Sequence, residues 1–333
     1  MRTHPPTPSA PAALDVDDLV KTYPKGPRAL DGLSFHVPAG SVFALLGPNG
    51  AGKSTAVKIL TTLTRPDSGT ATVCGLDVVR SAAAVRRLIG TVGQRIAVDP
   101  DATGRENLVL QGTLYGMGGA SLRARTDELL DRFGLTDAAD RLARTWSGGM
   151  QRRLDLAMGL VHRPRVLFLD EPTTGLDPEV RAVMWSELQA LAATDGLTIL
   201  LTTHYLDEAD RLADRIAIVD HGRVVVEGTA DELKSELRGD ALVVDLADPV
   251  DASLVRRALD GDVRELTSSG RTVRARVDAG ATAVPRVLAR LEAAGIAVTA
   301  VTVARPSLDD VYLRHTGHPL AADDTGALVE ATR

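Results

Sequence analysis

The chain is predicted to fold as an α/β protein: a largely parallel sheet carrying antiparallel and helical additions, followed by a small α+β domain. Three observations predict it. The apolar run Val42–Leu46 leads through a glycine-rich turn, 47 to 52, into the amphipathic segment 56 to 60, the order strand, glycine loop, helix. Apart from Arg165 and Thr198, the runs 165 to 169 and 197 to 201 are apolar over strand length, as expected of strands buried on both faces of a parallel sheet. Beyond residue 240 the pattern reads strand, helix, hairpin, helix, strand, the split βαβ order of ferredoxin-like domains.

The 333 residues suffice for two domains, each with its own core. Aromatic residues are only 3% of the chain, so the cores must be built from Val, Leu, Ile and Ala. A net charge of -6 argues against a partner bound by neutralising nucleic-acid phosphates along a groove. Cys74 is the single cysteine, which suits a reducing compartment and reads as a small buried hydrophobe rather than a reactive thiol. No stretch approaches the ~18 apolar residues that span a bilayer, and the Pro/Thr/Ser-rich start lacks a signal-peptide core. By itself the chain is expected to be cytosolic, reaching a membrane only through a partner.

The expected domains are a disordered lead-in, 1 to 13; a first domain, 14 to 238; an accessory domain, 240 to 315; and a disordered tail, 316 to 333. Short alternating runs from Leu14 to Val37 predict an antiparallel sheet. Tyr23 lies in the loop between its strands and either stacks on a base or packs on the sheet edge. Next comes Gly47-Pro48-Asn49-Gly50-Ala51-Gly52-Lys53-Ser54-Thr55. Its glycines let backbone N–H groups converge on a concave loop, and the following helix points unpaired N–H donors at the same place. Lys53 supplies a point charge for phosphates and Ser54 a hydroxyl for Mg²⁺.

A helix is expected near 82 to 88, and the strand-like run after it ends at Gln94, whose amide either reaches a metal or serves the loop. Helical periodicity over 106 to 115 and 122 to 133 predicts a helical insertion. It closes with Trp146-Ser147-Gly148-Gly149-Met150 and a helix over 151 to 160. Ser147 is a good N-cap, so this is either an anion site or an ordinary capped helix. The strand 165 to 169 ends in Asp170 and Glu171. Near a phosphate loop these carboxylates are placed for a metal ion and for an attacking water; elsewhere they would be solvated loop acids. Asp177-Pro178 opens a helix over 179 to 193, and His204 ends the strand 197 to 203. A helix over 230 to 239 closes the first domain, and a later one over 282 to 294 holds Pro285 in its first turn.

Taken in order, 47 to 55, Gln94, Ser147-Gly148-Gly149, Leu167 to Pro172, Gly175-Leu176-Asp177 and His204 resemble the motifs of ATPase subunits of ABC transporters over about residues 14 to 230. The 94 to 107 segment, the 147 to 157 run and Arg305-Pro306-Ser307-Leu308-Asp309-Asp310-Val311-Tyr312 resemble the daunorubicin/doxorubicin-resistance type of drug-export ATPase. The resemblance implies ATP and Mg²⁺ as ligands, with Tyr23 on adenine and Gln94 sensing the metal and facing a transmembrane partner. It gives Asp170 to the metal, makes Glu171 the general base and puts His204 on the γ-phosphate. Ser147, Gly148 and Gly149 would bind the γ-phosphate held by a second copy, and Asp177 would bridge the two copies. A homodimer with two sandwiched ATP molecules, attached to a separate membrane permease at the cytoplasmic face, follows from it. Trp146 and Met150 depart from the usual Leu and Gln, which puts the contact near the ribose in question. Rival readings are a soluble ABC ATPase acting on ribosomes or nucleic acid, an exporter of lipid or polysaccharide, and a P-loop kinase or GTPase. The chain has neither tandem ATPase cores nor an Asn-Lys-x-Asp motif.

Overall fold

The computed structural model describes residues 12–320 apart from 25, 238 and 279. The expected tail residues 321–333 and lead-in residues 1–11 lie outside the described residues, while Ala12 and Ala13 already belong to the first strand. The chain forms two compact units, divided between Ala230 and Asp231.

In the first unit, β1 (Ala12–Thr22) and β2 (Arg28–Pro38) are followed by β3 (Val42–Leu46), α1 (Lys53–Leu60), β4 (Ser68–Val73), β5 (Leu76–Asp77), α2 (Ala82–Leu88) and β6 (Ile89–Val92). Then come α3 (Gly104–Leu114), α4 (Gly119–Arg132), α5 (Gly148–Leu160), β7 (Val166–Asp170), α6 (Pro178–Asp195), β8 (Thr198–Thr203), α7 (Leu206–Leu212), β9 (Arg215–Asp220) and β10 (Arg223–Gly228). The antiparallel sheet has the order β2-β1-β4-β5, and the second sheet the order β10-β9-β3-β8-β7-β6. In the second sheet β9, β3, β8, β7 and β6 are mutually parallel, and only β10 runs against its neighbour. All of β3 and β8 is buried, which is why neither sequence alternates polar with apolar residues. Leu14, Leu19, Leu33 and Phe35 of the first sheet share one core with Phe43, Leu45, Ile59 and Phe168. Cys74 packs against this core half-buried, and burial pushes its thiol pKa up, consistent with an inert small hydrophobe.

The helical insertion is α3 to α5. Helix α3 begins with a capping box between Thr103 and Glu106. Helix α5 begins at Gly148, three residues before the expected start, because Ser147 caps it directly. Trp146 is buried, and a Cβ on Gly104 would meet its ring at 2.3 Å. The larger residue at 146 is therefore accommodated by a glycine at the start of α3.

The second unit contains α8 (Ala230–Ser235) from Asp231 on, β11 (Asp240–Leu246), α9 (Ala252–Ala258), β12 (Arg264–Ser269), β13 (Thr272–Val277), α10 (Gly280–Ala293), β14 (Val298–Ala304) and α11 (Leu308–Thr316). Its sheet, β12-β13-β11-β14, is antiparallel throughout, the ferredoxin-like arrangement. Leu242, Val244, Val273, Val287 and Leu291 fill the space between sheet and helices. Two expectations are corrected here. Helix α8 stops at Ser235. Helix α10 starts at Gly280, so Pro285 sits beyond its first turn. Helix α11, set by a capping box of Ser307 and Asp310, runs into the expected disordered tail at Thr316. Among the described residues no helix is long and apolar enough to cross a membrane.

Candidate functional site: a phosphate loop with two carboxylates and a histidine

Strand register assembles the site. Leu46 pairs with Thr203, and Asp170 pairs with Thr202, so the C-terminal ends of β3, β7 and β8 lie side by side. That edge delivers the loop 47 to 52, Asp170–Glu171 and His204 to one place, the ligand side of a parallel sheet. Gly52 caps α1 with φ 107°, where a side chain would also meet the Ala29 carbonyl at 2.4 Å. The turn therefore requires glycine at this position.

Lys53 is buried, and its Nζ donates to the carbonyls of Gly47 at 2.6 Å and Pro48 at 3.0 Å. Burial pushes its pKa down, opposed by the negative charges of Glu171 and Asp170. Ser54 donates its hydroxyl to Asp170 Oδ1 at 3.0 Å, and Thr202 donates to the same oxygen at 2.6 Å. Glu171 is buried with φ 50°, an uncommon conformation for a residue with a Cβ. It is held there because its N–H donates to the carbonyl and hydroxyl oxygens of Thr202, each at 3.1 Å. One Glu171 oxygen, Oε1, lies 3.9 Å from Lys53 Nζ and 3.4 Å from His204 Nδ1. His204 is buried, its ring centroid 4.2 Å from that of Tyr205 with the planes tilted by 44°. The sequence-predicted set Lys53, Ser54, Asp170, Glu171 and His204 is thus one cluster.

The remaining predicted residues surround or leave this cluster. Gln94 is exposed two residues beyond β6, whose partner β7 ends in Asp170. Tyr23 is half-buried, with the Lys21 amino group 5.9 Å from its ring centroid. Ser147 is exposed and accepts from Met150 N at 3.3 Å, while Gly148 has open space where a Cβ would be. Asp177 is an exposed N-cap that accepts from Val180 N at 2.9 Å. Gln94, Ser147, Gly148 and Asp177 are all exposed to solvent.

Sequence reasoning missed Thr202, Glu208 and Arg152. Thr202 reads as one residue of an apolar strand, and only pairing with β7 turns its hydroxyl towards Asp170. Glu208 is buried and accepts from Thr173 Oγ1 at 2.8 Å and Trp185 Nε1 at 3.1 Å. Its signal was a carboxylate at the buried helical spacing of α7, four residues after His204.

Ser54 Oγ and the Asp170 carboxylate converge, and both are hard oxygen donors, the kind Mg²⁺ prefers. The residues fit that ion. A buried lysine at a helix N-terminus fits polyphosphate.

Residues 30–174 match the ABC transporter family, and residues 228–316 match the family described as "ATP-binding protein DrrA1-3-like, C-terminal domain". The daunorubicin/doxorubicin resistance ATP-binding protein DrrA of Streptomyces peucetius is 49% identical over 315 residues, 94% of each chain. The doxorubicin resistance ATP-binding protein DrrA of Mycobacterium tuberculosis (strain H37Rv) is 45% identical over 92% of this chain and 94% of its own. Among solved structures, cbiO1 of Clostridium perfringens, part of an ABC transporter complex, superposes with TM-score 0.62 at 30% identity, covering 68% of this chain and 91% of that one. A dimeric ATP-binding cassette, MJ0796 bound to ADP and Pi, gives 0.59 at 28% identity over 65% and 98%. With the phosphate loop, the paired carboxylates and relatives matching nearly end to end, the chain belongs to the ATP-binding, ATP-hydrolysing subunits of ABC transporters.

Proposed function

We propose that this chain powers export of a drug or antibiotic of the daunorubicin class through a separate integral membrane permease, as a homodimer at the cytoplasmic face of the membrane. The observation that carries the reading is near full-length similarity to drug-resistance ATP-binding proteins, extending through the C-terminal unit.

In this reading Tyr23 stacks on adenine, and the loop Gly47, Pro48, Asn49, Gly50, Ala51, Gly52 with Thr55 cradles the phosphates. Lys53 exchanges its two loop carbonyls for phosphate oxygens and neutralises charge as the terminal phosphoryl leaves. Ser54, Asp170 and Gln94 would hold Mg²⁺, which screens the phosphate oxygens when bound. Glu171 takes the proton of the attacking water, and His204, beside Glu171 Oε1, is placed for the γ-phosphate. Ser147, Gly148, Gly149 and Met150 face the nucleotide of the other copy, with Asp177 between the two. ATP then favours the closed pair through contacts to both copies, and hydrolysis removes that preference.

For the permease we assign a groove of ≈ 490 Å³ lined by Leu63, Arg86, Arg87, Leu114 and Tyr115. Leu63 and Leu114 are 77% and 73% exposed there, and apolar side chains left in water beside arginines suit a protein partner. The domain 240 to 315 is assigned an accessory role, stabilising the dimer or controlling its opening. Deletion of residues 240 to 333 with unchanged dimerisation, ATPase rate and transport would remove that role.

The test is affinity capture of the chain from mildly solubilised membranes, then ATPase assay with daunorubicin. Recovery of a multi-helix membrane protein in matching amounts, with stimulation by the drug, supports the proposal. Co-fractionation with ribosomes or nucleic acid overturns it. Stimulation by another amphiphile alone would move the substrate towards relatives named for Nod factor export, such as that of Burkholderia thailandensis at 41% identity over 93% of this chain and 98% of its own.

A further inference from the structure

Arg152 belongs to neither the phosphate loop nor the carboxylate strand, yet it touches the segments beside Gln94 and Glu171. It lies in the second turn of α5 and is 4% exposed. Its Nε donates to the Pro172 carbonyl at 2.8 Å, and Nη1 donates to the Gly93 carbonyl at 2.7 Å and to Asp155 Oδ2 at 3.0 Å. Asp155, one turn further and 3% exposed, accepts from Ala97 N through Oδ1 at 3.2 Å. One buried ion pair on one helix therefore grips the chain on both sides of Gln94, at Gly93 and Ala97, and immediately after Glu171, at Pro172.

Burying two charges is costly, and well-packed apolar residues of similar volume often stabilise a fold as well or better. What the pair supplies is direction. A guanidinium presents donors in a fixed plane and can hold carbonyls from two loops at once, which an ammonium on a flexible stem cannot reproduce. Glu171 needs such direction because its backbone sits at φ 50°. Thr202 holds its N–H on one side, and Arg152 holds the next carbonyl on the other.

We propose that Arg152, braced by Asp155, is a positioning residue: it sets the placement of Glu171 and of the Gln94 segment from helix α5, the same helix that carries Ser147 at its N-terminus. A shift of α5 is then transmitted to the base and to the segment facing the metal through one rigid side chain. The inference rests on the assignment of Glu171 as base under Proposed function.

The test is single-turnover hydrolysis of saturating Mg-ATP by the full-length chain, with nucleotide affinity and melting temperature measured alongside. Arg152→Lys is expected to slow hydrolysis by roughly 10- to 100-fold, the scale of a misplaced reacting group, while ATP affinity stays within about threefold. Because Arg152 acts through Glu171, adding Arg152→Lys to Glu171→Gln is expected to cause no further loss; a purely structural residue would multiply the two losses. Hydrolysis by Arg152→Lys at the parent rate, or multiplication of the losses, overturns the proposal. If Arg152→Lys does not fold, the neutral pair R152Q/D155N leaves no buried charge unpaired and carries the same expectations. A Glu171→Gln chain as fast as the parent would instead overturn the base assignment.

Discussion

Ser54 and Asp170 stand 116 positions apart and are joined by a 3.0 Å hydrogen bond. The hydroxyl comes from the start of α1 and the carboxylate from the end of β7. Thr202 of β8 adds a second donor to the same oxygen, so three separate segments converge on one carboxylate.

That convergence makes Thr202 testable. Thr202→Val keeps the buried shape and removes the hydroxyl on Asp170. Hydrogen bonds to charged groups contribute about 1.5–3 kcal/mol, so the Mg²⁺ concentration for half-maximal ATPase is expected to rise about 10- to 100-fold. An unchanged Mg²⁺ titration would take Thr202 out of the site.

Glu171→Gln keeps size and most hydrogen bonding but cannot accept a proton. The ATPase rate is expected to fall by about 10²- to 10⁴-fold, with ATP still bound. Size-exclusion chromatography with ATP should then show the chain as a dimer that the parent forms only transiently. A monomer under those conditions would speak against the two-copy site.

Gly149 separates packing from phosphate approach. A Cβ there would meet Val180 Cγ1 at 2.8 Å, so Gly149→Ala pushes α5 against the start of α6. Its melting temperature is expected to drop, and adding Val180→Ala should restore it by removing the obstructing methyls. ATPase that stays low in the restored protein would show that Gly149 also serves the nucleotide; recovery of both would make its role steric alone.

Glu208 gives a pH dependence with a definite sign. Burial pushes its pKa above the ordinary glutamate range, partly offset by hydrogen bonds from Thr203, Thr173 and Trp185. The native state therefore holds the proton more tightly than the unfolded chain. The stability so contributed is complete below the unfolded-state pKa and is lost as pH rises through the folded-state value. Glu208→Gln keeps an acceptor oxygen for Thr173 and Trp185 and removes the titration. Its melting temperature relative to the parent is expected to climb as pH rises out of the glutamate range. Parallel pH profiles for the two proteins would refute this account.

Much of this protein could be read from local chemistry. The turn at Gly52 requires a left-handed backbone, continuous apolarity marks strands buried on both faces, and alternation marks the antiparallel sheet. Each signal depends on neighbouring residues only, so Lys53, Ser54, Asp170 and Glu171 were legible in order along the chain, while His204 took its role from the family resemblance. Parallel pairing of β3, β7 and β8 then brought them together as that order implied. Tertiary structure alone decided which side chains complete the site. Thr202 reaches Asp170 through strand register, Trp146 finds room over Gly104, and Arg152 meets Gly93 and Pro172 across 59 and 20 positions. Such contacts depend on where distant segments cross, and no periodicity or motif along the chain encodes that.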